Sequence, residues 1–245
     1  MPEQYGLLGK SLGHSFSKAY FTEKFLKEKI DAVYDNFELE DIGQLPELLR
    51  SQPDLRGLNV TIPYKKTVIP YLNHLSDEAR TIGAVNTIKI QNGITTGHNT
   101  DAHGFLKSLR PFLTLHHDKA LLLGNGGAAA AARYALESLG VFCLNVQRHG
   151  AVNGKSVLWQ DLNERAIGQF KLIVNCTPLG MWPDTESIPT LSYDALTSDH
   201  LLFDMVYNPS VTRFMEKGRA RGAITMNGSD MLRFQAERAW EIWQN

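Results

Sequence analysis

The sequence has little of what marks several protein classes. It holds only two cysteines, Cys143 and Cys176, far apart and each in an apolar run. That excludes a disulfide framework and a Cys-based metal site, so we read two reduced, buried thiols and no metal. Long apolar runs are also missing. Residues 120–123 and 128–132 are short and are interrupted by Gly124-Asn125-Gly126-Gly127, whereas a bilayer span needs about 20 apolar residues. Neither sign of charge is in excess, since the formal net charge is −1. No nucleic-acid or anionic-membrane partner is therefore expected. The N-terminus lacks a basic and then apolar leader, so no signal peptide is expected and the cytoplasm is the simplest compartment. No internal repeat, low-complexity tract or long linker is visible.

What is present reads as an ordinary globular chain. Of 245 residues, 43% are hydrophobic and 21% charged, enough apolar material for a sizeable core. Short strand-like runs alternate with helical ones, the pattern of an α/β protein. Strands are predicted at residues 5–9, 32–37, 58–62 and 87–90, and helices at about 18–30, 42–51 and 77–82. Asn92-Gly93 favours a type I′ turn and hence a hairpin. A second rhythm starts near Asp101: a helix to about 109, a compact apolar strand at 119–123, a glycine turn and an alanine-rich helix. Strands then follow at 141–146, 157–159, 171–176, 201–206 and 223–226, with a last helix at 230–243. Near-continuous apolar strands of this kind suit a buried parallel sheet. The change of rhythm predicts domains at 1–100 and 101–228, with residues 229–245 rejoining the first.

The glycine turn carries the first chemical signal. Gly124, Gly126 and Ala129 follow a strand and open a helix in the spacing G-x-G-x-x-A. The first glycine permits the turn, the second lets a pyrophosphate approach the backbone, and the small third residue packs helix on sheet. The helix N-terminus then offers free N–H groups to phosphates. The next strand ends in Gln147 and Arg148 with no acid. A carboxylate there would accept the 2′-hydroxyl of NAD; an arginine accommodates the 2′-phosphate of NADP, so NADP is favoured.

A second signal lies at residues 57–65. Alternation along a strand puts Leu58, Val60 and Ile62 on one face and Asn59 and Thr61 on the other. Two hydrogen-bonding side chains on one face suggest a polar pocket. Lys65 follows Pro63, which ends the strand. On spacing alone Lys65 and Lys66 read as a solvated pair rather than a site, and Asp101 as a helix N-cap. Ser17 is a natural N-cap, and with Ser15 it forms a seat for a carboxylate beside a helix N-terminus.

Together these segments resemble the shikimate dehydrogenase family. The matching pieces include Gly13-His14-Ser15-Phe16-Ser17, Asn59-Val60-Thr61-Ile62-Pro63-Tyr64-Lys65, Gly83-Ala84-Val85-Asn86-Thr87 and Gly97-His98-Asn99-Thr100-Asp101. They continue with the glycine turn, Asn175-Cys176-Thr177-Pro178-Leu179-Gly180-Met181, Asp204-Met205-Val206-Tyr207-Asn208-Pro209 and the run from Asn227 to Gln235. The resemblance implies an N-terminal α/β substrate domain, a Rossmann-like NADP domain and a cleft between them. It implies reversible, NADPH-dependent reduction of 3-dehydroshikimate to shikimate by a monomer or homodimer. Lys65 and Asp101 would be catalytic. Ser15, Ser17 and Tyr207 would hold the substrate carboxylate, and Asn86, Asp101 and Gln235 ring hydroxyls, with Asn59 and Thr61 nearby. The cofactor would lie on Gly124, Asn125, Gly126, Gly127, Ala128, Gln147 and Arg148, with Thr177, Met205 and Gly228 near its ribose and nicotinamide.

The sequence departs from the family in two places. Lys18 stands where proline is common, which touches helix entry alone. After Arg148, the run His149-Gly150-Ala151-Val152-Asn153-Gly154 leaves no room for the helix usual there, which could reshape the adenine end of the site. A quinate enzyme using NAD and a non-catalytic NADP-binding module are the rival readings. Arg148→Ala is expected to weaken NADPH binding far more than NADH binding in fluorescence titrations; equal losses would remove Arg148 from the cofactor site.

Overall fold

The computed structural model describes residues 2–13 and 16–245. By its internal contacts the chain divides into two units, residues 1–100 with 236–245, and residues 101–235.

The first unit holds β1 (Glu3–Gly9), α1 (Phe16–Glu28), β2 (Ala32–Glu38), α2 (Leu45–Ser51), β3 (Leu55–Val60), β4 (His74–Leu75), α3 (Asp77–Ile82), β5 (Thr87–Gln91) and β6 (Ile94–His98). They form one mixed sheet in the order β2-β1-β3-β5-β6-β4. The β1–β2 and β1–β3 pairs are parallel, and β5 lies antiparallel to both β3 and β6. The β5–β6 turn has positive φ at both Asn92 and Gly93 (52° and 76°), as a type I′ turn requires. Strand alternation gives the sheet two covered faces. Leu8, Leu58, Val60 and Ile88 enter a core with Leu45 and Val85. On the other face Tyr5, Leu7 and Tyr34 pack with Phe21 and Phe25 of α1 and with Ala236, Ala239 and Trp243.

The second unit runs α4 (Asp101–Leu109), β7 (Lys119–Leu123), α5 (Gly127–Glu137), β8 (Phe142–Gln147), β9 (Ser156–Leu158), α6 (Glu164–Gln169), β10 (Leu172–Asn175), β11 (Leu201–Asp204), α7 (Arg213–Arg219) and β12 (Ile224–Met226). Helix α8 (Ser229–Gln244) follows, its residues to Gln235 counted here and the rest with the first unit. The six strands are all parallel, in the order β12-β11-β10-β7-β8-β9. The chain therefore winds outward from β7 in one direction and, after crossing back, from β10 in the other. Ligands of such sheets bind at the carboxyl ends of the strands flanking that reversal. Residues 148–155 contain no helix, and β9 pairs directly with β8.

Two turns enter this sheet in the same way. The Thr114 N–H donates to His117 Nδ1, and the Thr197 N–H to His200 Nδ1, each at 2.9 Å. A backbone N–H aimed at Nδ1 makes that atom an acceptor, so the proton sits on Nε2. In His200 it faces the Ile167 carbonyl at 3.0 Å. Burial holds both imidazoles below the ordinary histidine range.

The structure corrects several sequence boundaries. Strand β3 stops at Val60, and Ile62 is 69% exposed rather than in the core. The predicted helix at 42–51 is a single 3₁₀ turn followed by α2. Helices α6 and α7 had no counterpart in the sequence reading.

Trp243 anchors the end of α8 in the first unit, donating its indole N–H to the Ile88 carbonyl at 3.0 Å. A Cβ at Gly57 would overlap that indole ring. Gly57→Ala is expected to lower stability by about 1–3 kcal/mol through overpacking, read as a shifted midpoint in urea unfolding.

Candidate functional site

In the first unit the predicted polar residues Asn59 and Asn86 meet where β3 ends and the antiparallel β5 begins. Asn59, next to last in β3, is buried. Its Oδ1 accepts from the Tyr34 hydroxyl at 2.8 Å, and its Nδ2 donates to Thr87 Oγ1 at 3.3 Å and to the Asn86 carbonyl at 3.4 Å. Asn86 is also buried. Its Oδ1 accepts from the Thr100 N–H at 2.7 Å, and its Nδ2 donates to Thr100 Oγ1 at 2.9 Å. Ser17 hydrogen-bonds Tyr34, whose phenol burial pushes well above the ordinary tyrosine range. Helix α1 starts at Phe16, so Ser17 lies inside its first turn and is not the N-cap read from sequence. Ser15 and His14 lie outside the described residues.

Each bond here has one sensible direction. The amide of Asn59 must turn its nitrogen to the Asn86 carbonyl, which can only accept. Its oxygen is then left for Tyr34, whose own oxygen accepts from Ser17. Losing one partner of such a buried group costs about 1–3 kcal/mol, so the network fixes where the chain around residues 59, 86 and 100 can lie. Thr61 and Lys65 follow, both half-buried. The Thr61 N–H donates to the Leu8 carbonyl at 2.9 Å, and the Lys65 carbonyl accepts from Val85 N–H at 2.7 Å. The Lys65 backbone is thereby tied to the segment carrying Asn86.

In the second unit the glycine turn lies where the strand order reverses. Gly124, at φ 119°, follows β7. Its N–H donates to the Val146 carbonyl at 2.8 Å, and its carbonyl accepts from Asn145 Nδ2 at 2.7 Å. Helix α5 begins at Gly127 with Gly126 as an extended N-cap and no side-chain capping bond. A Cβ at Gly126 would meet nothing within 4 Å. Gly126 brings no side-chain acceptor to the first-turn N–H groups, an arrangement a pyrophosphate fits. Ala129, Ala131, Ala132 and Ala135 are buried, Ala129 being the small third residue of the motif. Asn125, Gly127 and Ala128 complete the turn. Among the described residues Arg148 is exposed with no hydrogen-bond or ion-pair partner, while Gln147 bonds Asn125 Nδ2 at 3.3 Å and the Ala151 carbonyl at 3.0 Å. These features fit a phosphorylated dinucleotide.

The loops after β10 and β11 are held by two residues that the sequence reading quoted in its motifs but gave no role. Asn175 accepts from the Thr177 N–H at 3.1 Å and hydroxyl at 2.6 Å, and donates to Asp204 at 3.0 Å. Asp204 also accepts from the Val206 N–H at 3.0 Å and the Thr212 hydroxyl at 2.5 Å. Burial pushes its carboxyl up to about 6, against these donors. The readable signal was a polar residue closing each apolar strand. Met205 and Gly228 meet closely: a Cβ at Gly228 would overlap the Met205 backbone. Asp101 opens α4 and is buried; Gln235 is buried, its Nε2 donating to the Leu232 carbonyl at 3.0 Å. Tyr207 is half-buried, and burial raises its phenol. Among the described residues no helix is long and apolar enough to cross a membrane.

Comparison with known proteins finds shikimate dehydrogenases among the curated relatives, and among the solved structures also a quinate dehydrogenase from Corynebacterium glutamicum in complex with NAD, with a TM-score of 0.86 at 30% identity, covering 99% of this chain and 93% of that one. The family model of the shikimate dehydrogenase substrate binding domain matches residues 7–88. A shikimate dehydrogenase (NADP(+)) of Carboxydothermus hydrogenoformans is 35% identical, across 97% of this chain and 90% of that protein. A chorismate mutase/shikimate 5-dehydrogenase fusion protein from Clostridium acetobutylicum has a TM-score of 0.88 at 34% identity, covering 99% of this chain and 91% of that one. Shikimate 5-dehydrogenase from Thermus thermophilus, solved with NADP(H) and shikimate, has a TM-score of 0.85 at 30% identity, covering 98% and 93%.

The Asp204 carboxyl gives a pH-dependent outcome. Its folded value, about 6, lies above the ordinary 3.8, so the folded state holds this proton more tightly than the unfolded chain. The stability it contributes is present below about 4 and is lost as pH rises through about 6. Relative to Asp204→Asn, wild-type stability should fall by about 2–3 kcal/mol across that window. A constant difference between the two in urea titrations would place the carboxyl in its ordinary range.

Proposed function

The chain belongs to the shikimate dehydrogenase family, and we propose that it reduces 3-dehydroshikimate reversibly to shikimate with NADPH, as a step toward chorismate and the aromatic amino acids. It is an oxidoreductase acting on a CH–OH group. The observation that carries this reading is the glycine turn at the reversal of strand order, followed at the end of β8 by an unpartnered Arg148 and no carboxylate.

Reduced NADP, when bound, supplies the hydride. The chain's own task is to bind, orient and move a proton. A reduced ketone leaves negative charge on its oxygen, which must take up a proton. We assign that proton to Lys65, whose ammonium both stabilises the charge and donates. In the reverse direction neutral Lys65 accepts it. Asp101 is assigned to a ring hydroxyl as a carboxylate acceptor, with Asn86 and Gln235 on further hydroxyls. Asn59 and Thr61 are assigned to the substrate as well. Ser15, Ser17 and Tyr207 are assigned to the substrate carboxylate. A carboxylate only accepts, so Ser17 would turn toward it the O–H that it now donates to Tyr34. Gly124, Asn125, Gly126, Gly127 and Ala128 are assigned to the cofactor phosphates, and Gln147 and Arg148 to its 2′-phosphate. Thr177, Met205 and Gly228 are assigned to the ribose and nicotinamide. The proposed compartment is the cytoplasm.

The direct test is a spectrophotometric assay with shikimate or quinate and NADP or NAD in all four pairings. Turnover chiefly with shikimate and NADP is expected; turnover chiefly with NAD, or with quinate, would replace that part of the reading. Lys65→Ala should lower kcat by about 10²–10⁴-fold and leave NADPH affinity unchanged. A variant with near-normal kcat would remove Lys65 from the chemistry.

A further inference from the structure

The short connection after Arg148 is tied to the glycine turn by side chains outside the motif. Arg133, on α5, makes five hydrogen bonds. Its Nε and Nη2 both donate to Asn145 Oδ1, the first at 2.9 Å. Nη2 also donates to the Lys155 carbonyl at 2.8 Å, and Nη1 to Glu137 at 3.1 Å and the Cys143 carbonyl at 3.2 Å. A guanidinium has five N–H donors, so none is left for a cofactor phosphate. Arg133 can act on the cofactor only through what it holds.

It holds Asn145. The guanidinium only donates, so the Asn145 amide must present its oxygen there and its nitrogen to the opposite side. That nitrogen donates to the Gly124 carbonyl at 2.7 Å, while the Gly124 N–H is fixed on Val146 at 2.8 Å. A trans peptide is planar with C=O and N–H opposed. Pinning the Gly124 carbonyl therefore sets the direction of the next N–H, that of Asn125, within the turn.

Resting on the NADP reading above, we propose that Arg133 and Asn145 are positioning residues for the cofactor, locking the peptide plane of the glycine turn to the connection ending at Lys155. The lock explains how a sheet that lacks a helix between β8 and β9 keeps a defined phosphate turn: the Lys155 carbonyl supplies one fixed end, and the guanidinium spans from it to Asn145.

The test uses the full chain and NADPH fluorescence titration beside steady-state kinetics. Asn145→Asp keeps an acceptor for Arg133 but sets a carboxylate oxygen against the Gly124 carbonyl, so that the tie is lost and a negative charge is added beside the turn. NADPH affinity should fall about tenfold, the worth of roughly one hydrogen bond, with KM for shikimate and kcat at saturating cofactor unchanged. Glu137→Gln weakens the outer bonds of Arg133 and of Lys155 Nζ but leaves both Arg133–Asn145 bonds and the Lys155 carbonyl in place, so NADPH affinity should stay unchanged. Wild-type affinity in Asn145→Asp, an equal loss in Glu137→Gln, or a general fall in kcat with both KM values raised would each overturn the proposal. Wild-type protein that binds no NADPH would overturn the functional reading, and the proposal with it.

Discussion

A buried amide must be paired on both its oxygen and its nitrogen, and the ends of these sheets depend on that requirement. Where a ladder stops, backbone groups lose their neighbours, and side chains have to take over. Asn59, Asn86, Asn145 and Asn175 stand at or near such ends, all buried. An amide carries a donor and an acceptor on one rigid plane, so each joins two segments rather than one. Asn59 joins β2 to β5, and Asn145 joins α5 to the glycine turn. The loops that carry the proposed chemistry are definite because these groups have few ways to be satisfied.

Much of this was legible in sequence, for identifiable reasons. Alternation placed Asn59 opposite Leu58 and Val60, because a strand has a period of two. It failed at Ile62, because the rule says nothing about where a ladder ends. The glycine motif was legible since its geometry needs glycine: Gly124 has φ 119°. Helices α6 and α7 went unseen because each is too short to show periodicity, with Ile167 alone buried in the first. In the site, Asn86 was reached only through the resemblance, within Gly83-Ala84-Val85-Asn86-Thr87. Arg133 was not reached, since its partners Asn145 and Lys155 lie 12 and 22 residues away and meet it only through the packing of helix on sheet.

The two units solve different problems with different materials. The first uses aromatic bulk: Tyr5, Phe21, Phe25, Tyr34 and Trp243 fill one face of its sheet. Bulk there gives the polar network a rigid floor, since Tyr34 is both core and hydrogen-bond donor. The second uses smallness. Alanines along α5 let helix and sheet approach closely, which brings the helix N-terminus to the end of β7. Filling that space would move the N–H groups on which phosphate binding depends.

The paired histidine turns have a consequence beyond folding. His117 and His200 sit before β7 and β11, whereas Gly124 and Asp204 close those same strands. At the entry ends the folded chain refuses a proton that the unfolded chain would take, so acid works against it there. At the exit end it takes a proton on Asp204 that the unfolded chain would release, so acid works for it. The two ends of one sheet therefore respond to acid with opposite sign. A substitution at one end alone uncovers the sign of that end.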